Sequence, residues 1–203
     1  MYNLATALLN EITFYKVKRL SLLFTCLVFV MNTHLIAQKI QQVSRVFSME
    51  GDEVHVPTLW YNEPVVFFFY SVDCPLCRNY TKTINDLSKE FEGRVDFYMV
   101  FSGKHQKKID IDNYIEKYKL KVKILRDRKF NLSDVLEANI TPEAVLVKDG
   151  YIFYSGALDD WVIRLGNTKK KAREFYLKDA INNVLAGEKV NPKHVKAIGC
   201  YIK

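Results

Sequence analysis

An unbroken apolar run of strand length, Val65–Tyr70, ends four residues before the first of two closely spaced cysteines, Cys74 and Cys77. A run of this kind is typical of a strand that is buried on both faces of a sheet. After the cysteines, apolar residues recur at spacings of four, three and four, which predicts one face of an amphipathic helix. These residues are Tyr80, Ile84, Leu87 and Phe91. The two cysteines are therefore predicted to lie where a central strand ends and a helix begins.

The rest of the chain alternates between further predicted strands and helices. In chain order they are a hairpin around 50–52, strands at 94–101 and 122–125 with a helix at 111–118 between them, a short helix at 132–136, a hairpin that turns at Asp149-Gly150, and a last helix at 177–185. This order predicts an α/β fold in which a mixed central sheet is flanked by helices.

The N-terminal stretch has the pattern of an export signal. Three basic residues between positions 16 and 19 precede the apolar run Leu20–Met31, and the small residue Ala37 stands before Gln38. A basic flank, a short apolar core and a small residue at the cut are typical of a secretory signal peptide. The apolar run is shorter than the roughly 20 residues that a membrane span needs. An uncleaved anchor is the alternative.

The chain is therefore divided into three predicted parts. Residues 1–37 are a signal peptide or N-terminal anchor, residues 38–190 a folded domain, and residues 191–203 a C-terminal tail that contains a Gly-Cys pair. We expect the protein outside the cytoplasm, in the periplasm or secreted. Membrane contact is expected only through the N-terminal segment, if that segment stays uncleaved.

The composition has a basic excess, with 30 Lys and Arg against 23 Asp and Glu and a formal net charge of +7. The basic residues concentrate at 104–108, 117–129 and 167–173. These stretches lack the interleaved aromatic residues of a nucleic-acid-binding motif. They predict a solvated basic surface and no nucleic-acid partner.

The junction between strand and helix predicts redox chemistry for the cysteine pair. Free backbone N–H groups and the helix dipole stabilise a thiolate at Cys74 and lower its pKa. Pro75 suits the first helical turn, where its missing N–H is not needed. Cys77 lies one turn on and can close a short disulfide. Cys74 is therefore the predicted nucleophile, and Cys77 the residue that releases the mixed disulfide.

A second element, Thr141-Pro142, stands directly before a strand of the later hairpin. A cis proline there would bring bare backbone beside the dithiol, where an extended substrate could pair with it. The alternative is an ordinary proline at a strand edge. Thr141 and Pro142 are therefore candidate substrate-binding residues.

Together these features resemble the thioredoxin superfamily over about Phe47–Gly187. More closely, the chain resembles the extracytoplasmic redoxin branch, the alkyl hydroperoxide reductase/thiol-specific antioxidant group with its peroxiredoxin-like members. The stretches "YSGALDD", "INNVLAGEKV" and "AIGCYI" are similar to a family tail in which a Gly-Cys pair follows a helix that ends in Ala-Gly. The resemblance implies a thioredoxin-like fold and a thiol-disulfide or antioxidant peroxide activity at Cys74. It also implies Cys77 as the partner and Pro142 as the cis proline.

Two departures from thioredoxins bear on reactivity. Asp73 stands where Trp usually precedes the first cysteine, and a carboxylate beside a thiolate raises the thiol pKa. Phe68 stands where many thioredoxins carry a buried acid. We therefore expect only moderate activation of Cys74.

A thiol peroxidase is one alternative function. Ser71 matches the hydroxyl position before a peroxidatic cysteine, but Phe67 stands where that motif has Pro. The arginine that polarises the peroxide bond is missing from its usual place, which Pro142 occupies. Dithiol exchange is therefore favoured over peroxide reduction.

A copper-binding or copper-delivering module is the other alternative. Cu(I) accepts two thiolates and an imidazole. His105 is the best candidate imidazole, although weak, and His55 and His194 are weaker still. Zinc is disfavoured because no second Cys or His pair has suitable spacing. In the favoured interpretation no cofactor is needed.

Cys200 is a candidate third redox cysteine. It could instead link to another chain, bind metal with the pair, or stay a free thiol. Asp159 and Asp160 are interpreted as a turn-forming acidic pair. The sequence thus predicts an exported thiol-disulfide oxidoreductase whose partners are protein or small-molecule thiols and disulfides, together with an upstream redox partner.

Overall fold

The structure, a computed structural model, describes residues 46–59, 61 and 63–203. Within this part the strands are β1 (Val46–Phe47), β2 (Glu53–Val54), β3 (Val65–Tyr70), β4 (Asp96–Ser102), β5 (Lys123–Asp127), β6 (Ile140–Thr141), β7 (Glu143–Lys148), β8 (Tyr151–Gly156), β9 (Val162–Arg164), β10 (Asn167–Thr168), β11 (His194–Val195) and β12 (Cys200–Tyr201). The α-helices are α1 (Pro75–Glu90), α2 (Lys108–Tyr118), α3 (Asn131–Val135) and α4 (Tyr176–Ala186), and Val56–Leu59 form a short 3-10 helix. The predicted signal or anchor lies outside the described residues.

Strand β3 lies inside an eight-stranded sheet whose spatial order is β11-β8-β7-β3-β4-β5-β1-β2. It pairs in parallel with β4 and antiparallel with β7, and β4 pairs in parallel with β5. All six residues of β3 are buried, as its unbroken apolar sequence predicts. The sheet is mixed, and the predicted α/β fold is confirmed.

The core fixes β3 and α1 relative to each other. The buried side of α1 includes Tyr80, Ile84 and Leu87, which are residues of the predicted apolar face. In the sheet, the ring of Phe68 stacks on Phe97 with a centroid separation of 6.0 Å. Full burial of a Leu, Ile or Phe side chain contributes about 1.5–3 kcal/mol. The junction between β3 and α1, which carries the cysteines, is therefore anchored by packing on both sides.

Most element bounds follow the sequence predictions. Strand β3 has the predicted bounds, and α1 begins directly after Cys74. The β7–β8 hairpin turns at Asp149 and Gly150, which both have positive φ, as a tight hairpin turn requires. Helix α4 ends at Gly187, which has the left-handed conformation (φ 71°) of a common helix stop.

The C-terminal tail contains strands that sequence patterns do not indicate. Strand β11 pairs in parallel with β8 at the edge of the central sheet, and β12 pairs antiparallel with β6. Each of these tail strands has two residues, too few for a periodic apolar pattern. The tail is therefore joined to the rest of the domain at two places. Among the described residues, no helix has the length and apolar character to cross a bilayer.

Candidate functional site: a three-thiol cluster

Cys74 lies at the N-terminal end of α1, where the chain changes from extended to helical. It is the N-cap residue, with φ −83° and ψ 117°, and Pro75 takes the first helical position. Its backbone N–H donates to the carbonyl of Ser71 at 3.3 Å, which shapes the short loop after β3. Only 1% of Cys74 is exposed. The structure therefore has the predicted strand–cysteine–helix junction, with the first cysteine covered.

Cys77 lies one turn further along α1 and is fully buried. The hydroxyl of Tyr70 donates a 2.7 Å hydrogen bond to the Cys77 carbonyl and so ties the first turn of α1 to β3. Burial, and after it the neighbouring Cys74, raises the pKa of the Cys77 thiol well above its ordinary value. Cys77 is therefore held as a thiol while Cys74 carries the charge.

The Thr141–Pro142 peptide bond is cis and lies beside Cys74. The Cys74 sulfur is 3.2 Å from the carbonyl oxygen of Thr141, to which its thiol form can donate. Thr141 is buried, and it ends β6 just before the proline. The structure therefore brings all four predicted residues, the two cysteines and this Thr-Pro pair, to one place.

The buried carboxylate of Glu143 holds the segment before the cis proline. Its Oε2 accepts hydrogen bonds from the backbone N–H groups of Asn139 at 2.9 Å and of Ile140 at 3.1 Å. A carboxylate that accepts two backbone N–H groups restrains the chain more than one neutral bond would, because charge-assisted hydrogen bonds are stronger. No pattern in the sequence singles out Glu143 for this role.

Cys200 completes a cluster of three thiols. Its sulfur lies 2.9 Å from the Cys74 sulfur, and none of the three cysteines is in a disulfide. The pairing of β12 with β6 places Cys200 directly opposite Thr141. Cys200 is partly exposed. Burial, followed by its hydrogen bond to Cys74, raises the pKa of Cys200 to about 11.

Cys74 is the acidic thiol of the cluster. A hydrogen bond from the Cys77 thiol has the largest effect on its pKa. With smaller contributions from the Cys200 thiol, the Cys77 N–H and Thr141, this bond outweighs the effect of burial and lowers the pKa of Cys74 to about 4. The expected moderate activation is therefore wrong. It rested on the charge of Asp73 and on the apolar Phe68 in place of a buried acid. The Asp73 side chain is exposed, and the dominant contacts that lower the pKa of Cys74 come from the other two thiols.

A buried glutamine positions the loop before Cys74. The carboxamide of Gln106 accepts the N–H of Val72 at 3.1 Å and donates to the Ser71 hydroxyl at 3.0 Å. Gln106 is 1% exposed, so these bonds are shielded from water. The sequence singles out the neighbouring His105, as a candidate copper ligand, and gives no signal for Gln106. Only the fold shows that the glutamine points inward and the histidine is exposed.

The candidate metal ligands are not assembled into a site in the described part of the chain. There, no group of three or more His, Cys, Asp or Glu side chains has an arrangement suited to a metal ion. His194 is paired with the Ser155 hydroxyl at 2.9 Å, on the tail strand at the sheet edge. The copper role of His105 therefore stays a prediction.

An acidic residue also lies close to the proline. Asp159 is 8% exposed, and its carboxylate accepts hydrogen bonds from the Tyr80 hydroxyl and the Trp161 N–H. A cavity of about 310 Å³ is lined by Tyr80, Pro142, Asp159 and further residues. Asp159 therefore does more than form a surface turn, because its hydrogen bonds join α1 to the loop beyond β8. Its neighbour Asp160 forms an ion pair with Lys169.

Comparison with known proteins gives both a family and a fold. The profile of the AhpC/TSA family matches residues 35–157. A thioredoxin-like protein of Haemophilus influenzae is 26% identical over 104 residues, which are 50% of this chain and 59% of that protein. The chain thus spans less than two thirds of that relative's length.

Solved structures with the same fold cover most of the chain. A hypothetical protein of Sinorhizobium meliloti superposes with a TM-score of 0.68 at 21% identity, over 78% of this chain and 88% of that one. A secreted disulfide oxidoreductase of Mycobacterium tuberculosis, homologous to E. coli DsbE, has a TM-score of 0.52 at 16% identity, over 74% and 98%. At such identities these structures show the fold alone. The family match establishes that the chain belongs to the AhpC/TSA family, a redoxin family of oxidoreductases, and the solved structures show that it has the thioredoxin-like fold.

Proposed function

We propose that the protein is an exported thiol-disulfide oxidoreductase that exchanges disulfides through Cys74 and Cys77. The observation that carries this proposal is the Cys74 sulfur at the N-terminus of α1, with its pKa lowered to about 4 by hydrogen bonds. The thiolate is the nucleophile in disulfide exchange. A thiol with this pKa is almost fully ionised at neutral pH, so Cys74 needs no separate base to activate it.

The exchange proceeds in two balanced steps. The Cys74 thiolate attacks one sulfur of a substrate disulfide, which forms a mixed disulfide and releases the first substrate thiolate. Cys77 then loses its proton and attacks the Cys74 sulfur. This second step closes the Cys74–Cys77 disulfide and releases the other substrate thiolate, which takes up a proton. One substrate disulfide is reduced and two protein thiols are oxidised, and the reverse sequence oxidises a substrate dithiol.

The environment of Cys77 supports this order of events. Its pKa is raised by burial and by the neighbouring Cys74 charge. When Cys74 is tied up in a mixed disulfide its charge is gone, so one cause of the raised pKa is removed. Cys77 is then easier to ionise at the moment when the mechanism needs it.

The backbone beside Cys74 supports an extended substrate. The Thr141 carbonyl, an acceptor that an extended chain can use, is 3.2 Å from the Cys74 sulfur. A polypeptide that binds in extended form can add hydrogen bonds along such a segment. Protein disulfides are the substrates that use this surface most fully, and small thiols or disulfides are served by the cysteines alone.

Peroxide reduction is supported less well. The principal groups that act on the Cys74 sulfur are two thiols, a backbone N–H and a threonine, none of them a cation. Peroxide cleavage needs a group that stabilises the charge developing on the leaving oxygen. The hydroxyl of Ser71 is instead engaged with the Asp73 N–H and with Gln106.

Export is part of the proposal. It is supported by the basic flank, short apolar run and small residue at 16–37. The structurally similar oxidoreductase of Mycobacterium tuberculosis is a secreted protein. Expression of the full chain in a bacterial host, followed by fractionation and intact-mass measurement, should give a species that begins at Gln38 outside the cytoplasm. Full-length protein confined to the cytoplasm would contradict export.

Trapping of mixed disulfides tests the proposed roles. In a Cys200→Ser background, Cys77→Ser should accumulate a mixed disulfide with oxidised glutathione, and peptide mapping should place it on Cys74. Cys74→Ser in the same background should trap at least about tenfold less, because Cys77 is a buried thiol with a raised pKa. Equal trapping by both variants would show that the roles are wrong.

A redox titration separates the direction of exchange from the copper alternative. The full chain is equilibrated in graded thiol buffers, alkylated and analysed by peptide mapping. A two-thiol step at Cys74 and Cys77 near about −270 mV would indicate a reductant, and one near about −120 mV an oxidant. Cysteines that stay reduced throughout, in a protein that retains copper by native mass spectrometry, would replace exchange by metal binding.

A further inference from the structure

The C-terminal tail pairs with the backbone of β6, the segment with which an extended substrate would pair. Strand β12 runs antiparallel to β6, with Cys200 opposite Thr141 and Tyr201 opposite Ile140. The pairing continues beyond the strand, because the N–H of Ile202 donates to the Asn139 carbonyl at 3.0 Å. This is strand addition at an exposed edge, the way in which many domains bind extended peptides. Here the added strand belongs to the same chain.

The tail is seated by close contacts. A Cβ atom on Gly199 would lie 2.0 Å from the Thr141 carbonyl oxygen, so only glycine allows the tail backbone to approach so closely. Ala197 and Ile202 are buried on either side of it, and Lys203 forms an ion pair with Asp134. These contacts hold the Cys200 sulfur against Cys74.

The seated tail changes which sulfur a partner can reach. Cys74 is 1% exposed and Cys77 is fully buried, whereas Cys200 is partly exposed. A disulfide between Cys74 and Cys77 would therefore offer a reductant no exposed sulfur while the tail is in place. A disulfide between Cys74 and Cys200 would offer the reductant the partly exposed sulfur of Cys200.

We propose that Cys200 is a third catalytic cysteine. It replaces Cys77 as the disulfide partner of Cys74, and the resulting Cys74–Cys200 disulfide is the form that a dithiol reductant attacks. This inference rests on the proposed exchange at Cys74. In the transfer, the Cys200 thiolate attacks the Cys74 sulfur of the Cys74–Cys77 disulfide, and Cys77 leaves and takes up the proton that Cys200 has lost. One disulfide is broken and one formed, so no net oxidation occurs.

Reduction then begins at the exposed sulfur. One thiolate of the dithiol reductant attacks the Cys200 sulfur and expels Cys74 as a thiolate. Cys74 is the better leaving group of the two because a thiol of lower pKa leaves faster. The second thiol of the reductant then attacks the reductant sulfur that is bonded to Cys200. This step closes a disulfide within the reductant and releases Cys200 as a thiol. The reductant is oxidised by two electrons, and two protein thiols are regained.

Disulfide mapping of the full chain tests this relay. The reduced protein is oxidised with oxidised glutathione, quenched in acid, alkylated and mapped by mass spectrometry. Wild type should contain a Cys74–Cys200 linkage in addition to Cys74–Cys77, and Cys77→Ser should contain Cys74–Cys200 alone. Gly199→Ala should reduce the Cys74–Cys200 linkage by at least about tenfold, while the Cys74–Cys77 linkage forms as before. Tyr201→Ala, which truncates an exposed tail side chain, is the matched control and should behave as wild type.

The rate of reduction gives a second readout. With limiting dithiothreitol, oxidised wild type should be reduced at least about tenfold faster than oxidised Cys200→Ser, which keeps Gly199 and the seated tail but has no thiol to form the exposed disulfide. If Cys74–Cys77 forms but Cys74–Cys200 is absent from both wild type and Cys77→Ser, the relay is wrong and the proposed exchange stands. Equal rates for wild type and Cys200→Ser would also overturn the relay. If no disulfide involves Cys74 at all, the proposed function fails with it.

Discussion

The hydroxyl of Tyr80 donates a 2.6 Å hydrogen bond to Oδ1 of Asp159, and both residues are buried. The same carboxylate oxygen accepts the backbone N–H of Trp161 at 2.9 Å. The bond joins the helix that begins after Cys74 to the loop beyond β8, and both partners line the cavity that Pro142 also borders. A buried carboxylate that loses such a donor is left without compensation for its lost hydration.

Tyr80→Phe should therefore lower the free energy of unfolding by about 1–3 kcal/mol, because the carboxylate of Asp159 loses its side-chain donor. Urea unfolding of the reduced protein measures this loss. Tyr201→Phe removes a hydroxyl from a residue that is 81% exposed, and it should change stability by less than about 0.5 kcal/mol. Equal losses in the two variants would contradict the role of the buried bond.

The pH dependence of stability should change in Asp159→Asn. Burial raises the pKa of Asp159 above its ordinary value. The contribution of such a group is fully present below its unfolded pKa, near about 3.9, and is lost as pH rises through the folded pKa. Asparagine does not titrate, so the variant should lack this loss in the window just above about pH 4. Unchanged pH profiles in urea unfolding would show that Asp159 does not titrate in that window.

Cys74 should have the opposite pH dependence. Its folded pKa of about 4 lies below the ordinary value of about 8.5 for a free thiol. The stability it contributes is present above about pH 8.5 and is lost as pH falls through about 4. The ultraviolet absorbance of the thiolate in the reduced full chain should therefore fall with a midpoint near about pH 4. Cys74→Ser should lose this transition, and Cys200→Ala should move it to higher pH because one hydrogen bond to the thiolate is removed.

Gln106→Ala should loosen the loop that positions Cys74. The buried carboxamide bonds to Val72 and Ser71, so its removal should cost about 1–3 kcal/mol of stability. The pH-dependent change in the absorbance of the Cys74 thiolate should also shift or broaden. A loss of stability that arises far from Cys74 would leave this change where it is. His105→Ala is the matched control, since that neighbouring side chain is exposed. The interpretation would fail if the thiolate transition were the same in both variants.

Glu143→Ala should weaken the segment that carries Thr141 and Pro142. The carboxylate accepts two backbone N–H groups, and a truncated side chain leaves both without that partner. We expect a loss of about 2–3 kcal/mol in urea unfolding, since bonds to a charged acceptor are among the stronger ones. Glu137→Ala, a change at an exposed residue a few positions earlier, should lie within about 0.5 kcal/mol of wild type. Faster hydrogen exchange at Ile140 in Glu143→Ala would locate the effect.

The sequence predicts the parts of the site that have a local pattern. The apolar run of β3, the spacing of Tyr80, Ile84 and Leu87, and the proline after Cys74 each depend on neighbours in the chain, so the β3–α1 junction could be derived from them. The order of strands and helices was likewise sufficient for the fold class.

The remaining site residues depend on contacts between distant segments. Gln106 lies 34 and 35 positions from its partners, and Cys200 lies 126 positions from Cys74. Strand β12 has two residues, so no periodicity marks it. Cys200 was a candidate from the sequence, but its position beside Thr141 could be found only in the fold. The acidity of Cys74 was underestimated for the same reason, because two of its hydrogen bonds depend on the folded tail or on Thr141.

The close fit of Gly199 against Thr141 also means that a ligand must displace the tail before it can reach the Cys74 sulfur. A tethered strand acts at an effective concentration in the millimolar range, against which any free molecule must compete. A ligand that needs the site empty has its apparent affinity reduced by the fraction of molecules in which the tail is displaced. A polypeptide that recovers the backbone hydrogen bonds of β6 offsets this cost, whereas a small disulfide that replaces none of them reacts only with the fraction of molecules in which the tail is displaced. The tail thus favours polypeptide partners, and it slows the reaction of low-molecular-weight oxidants with the most acidic of the three thiols in the cluster.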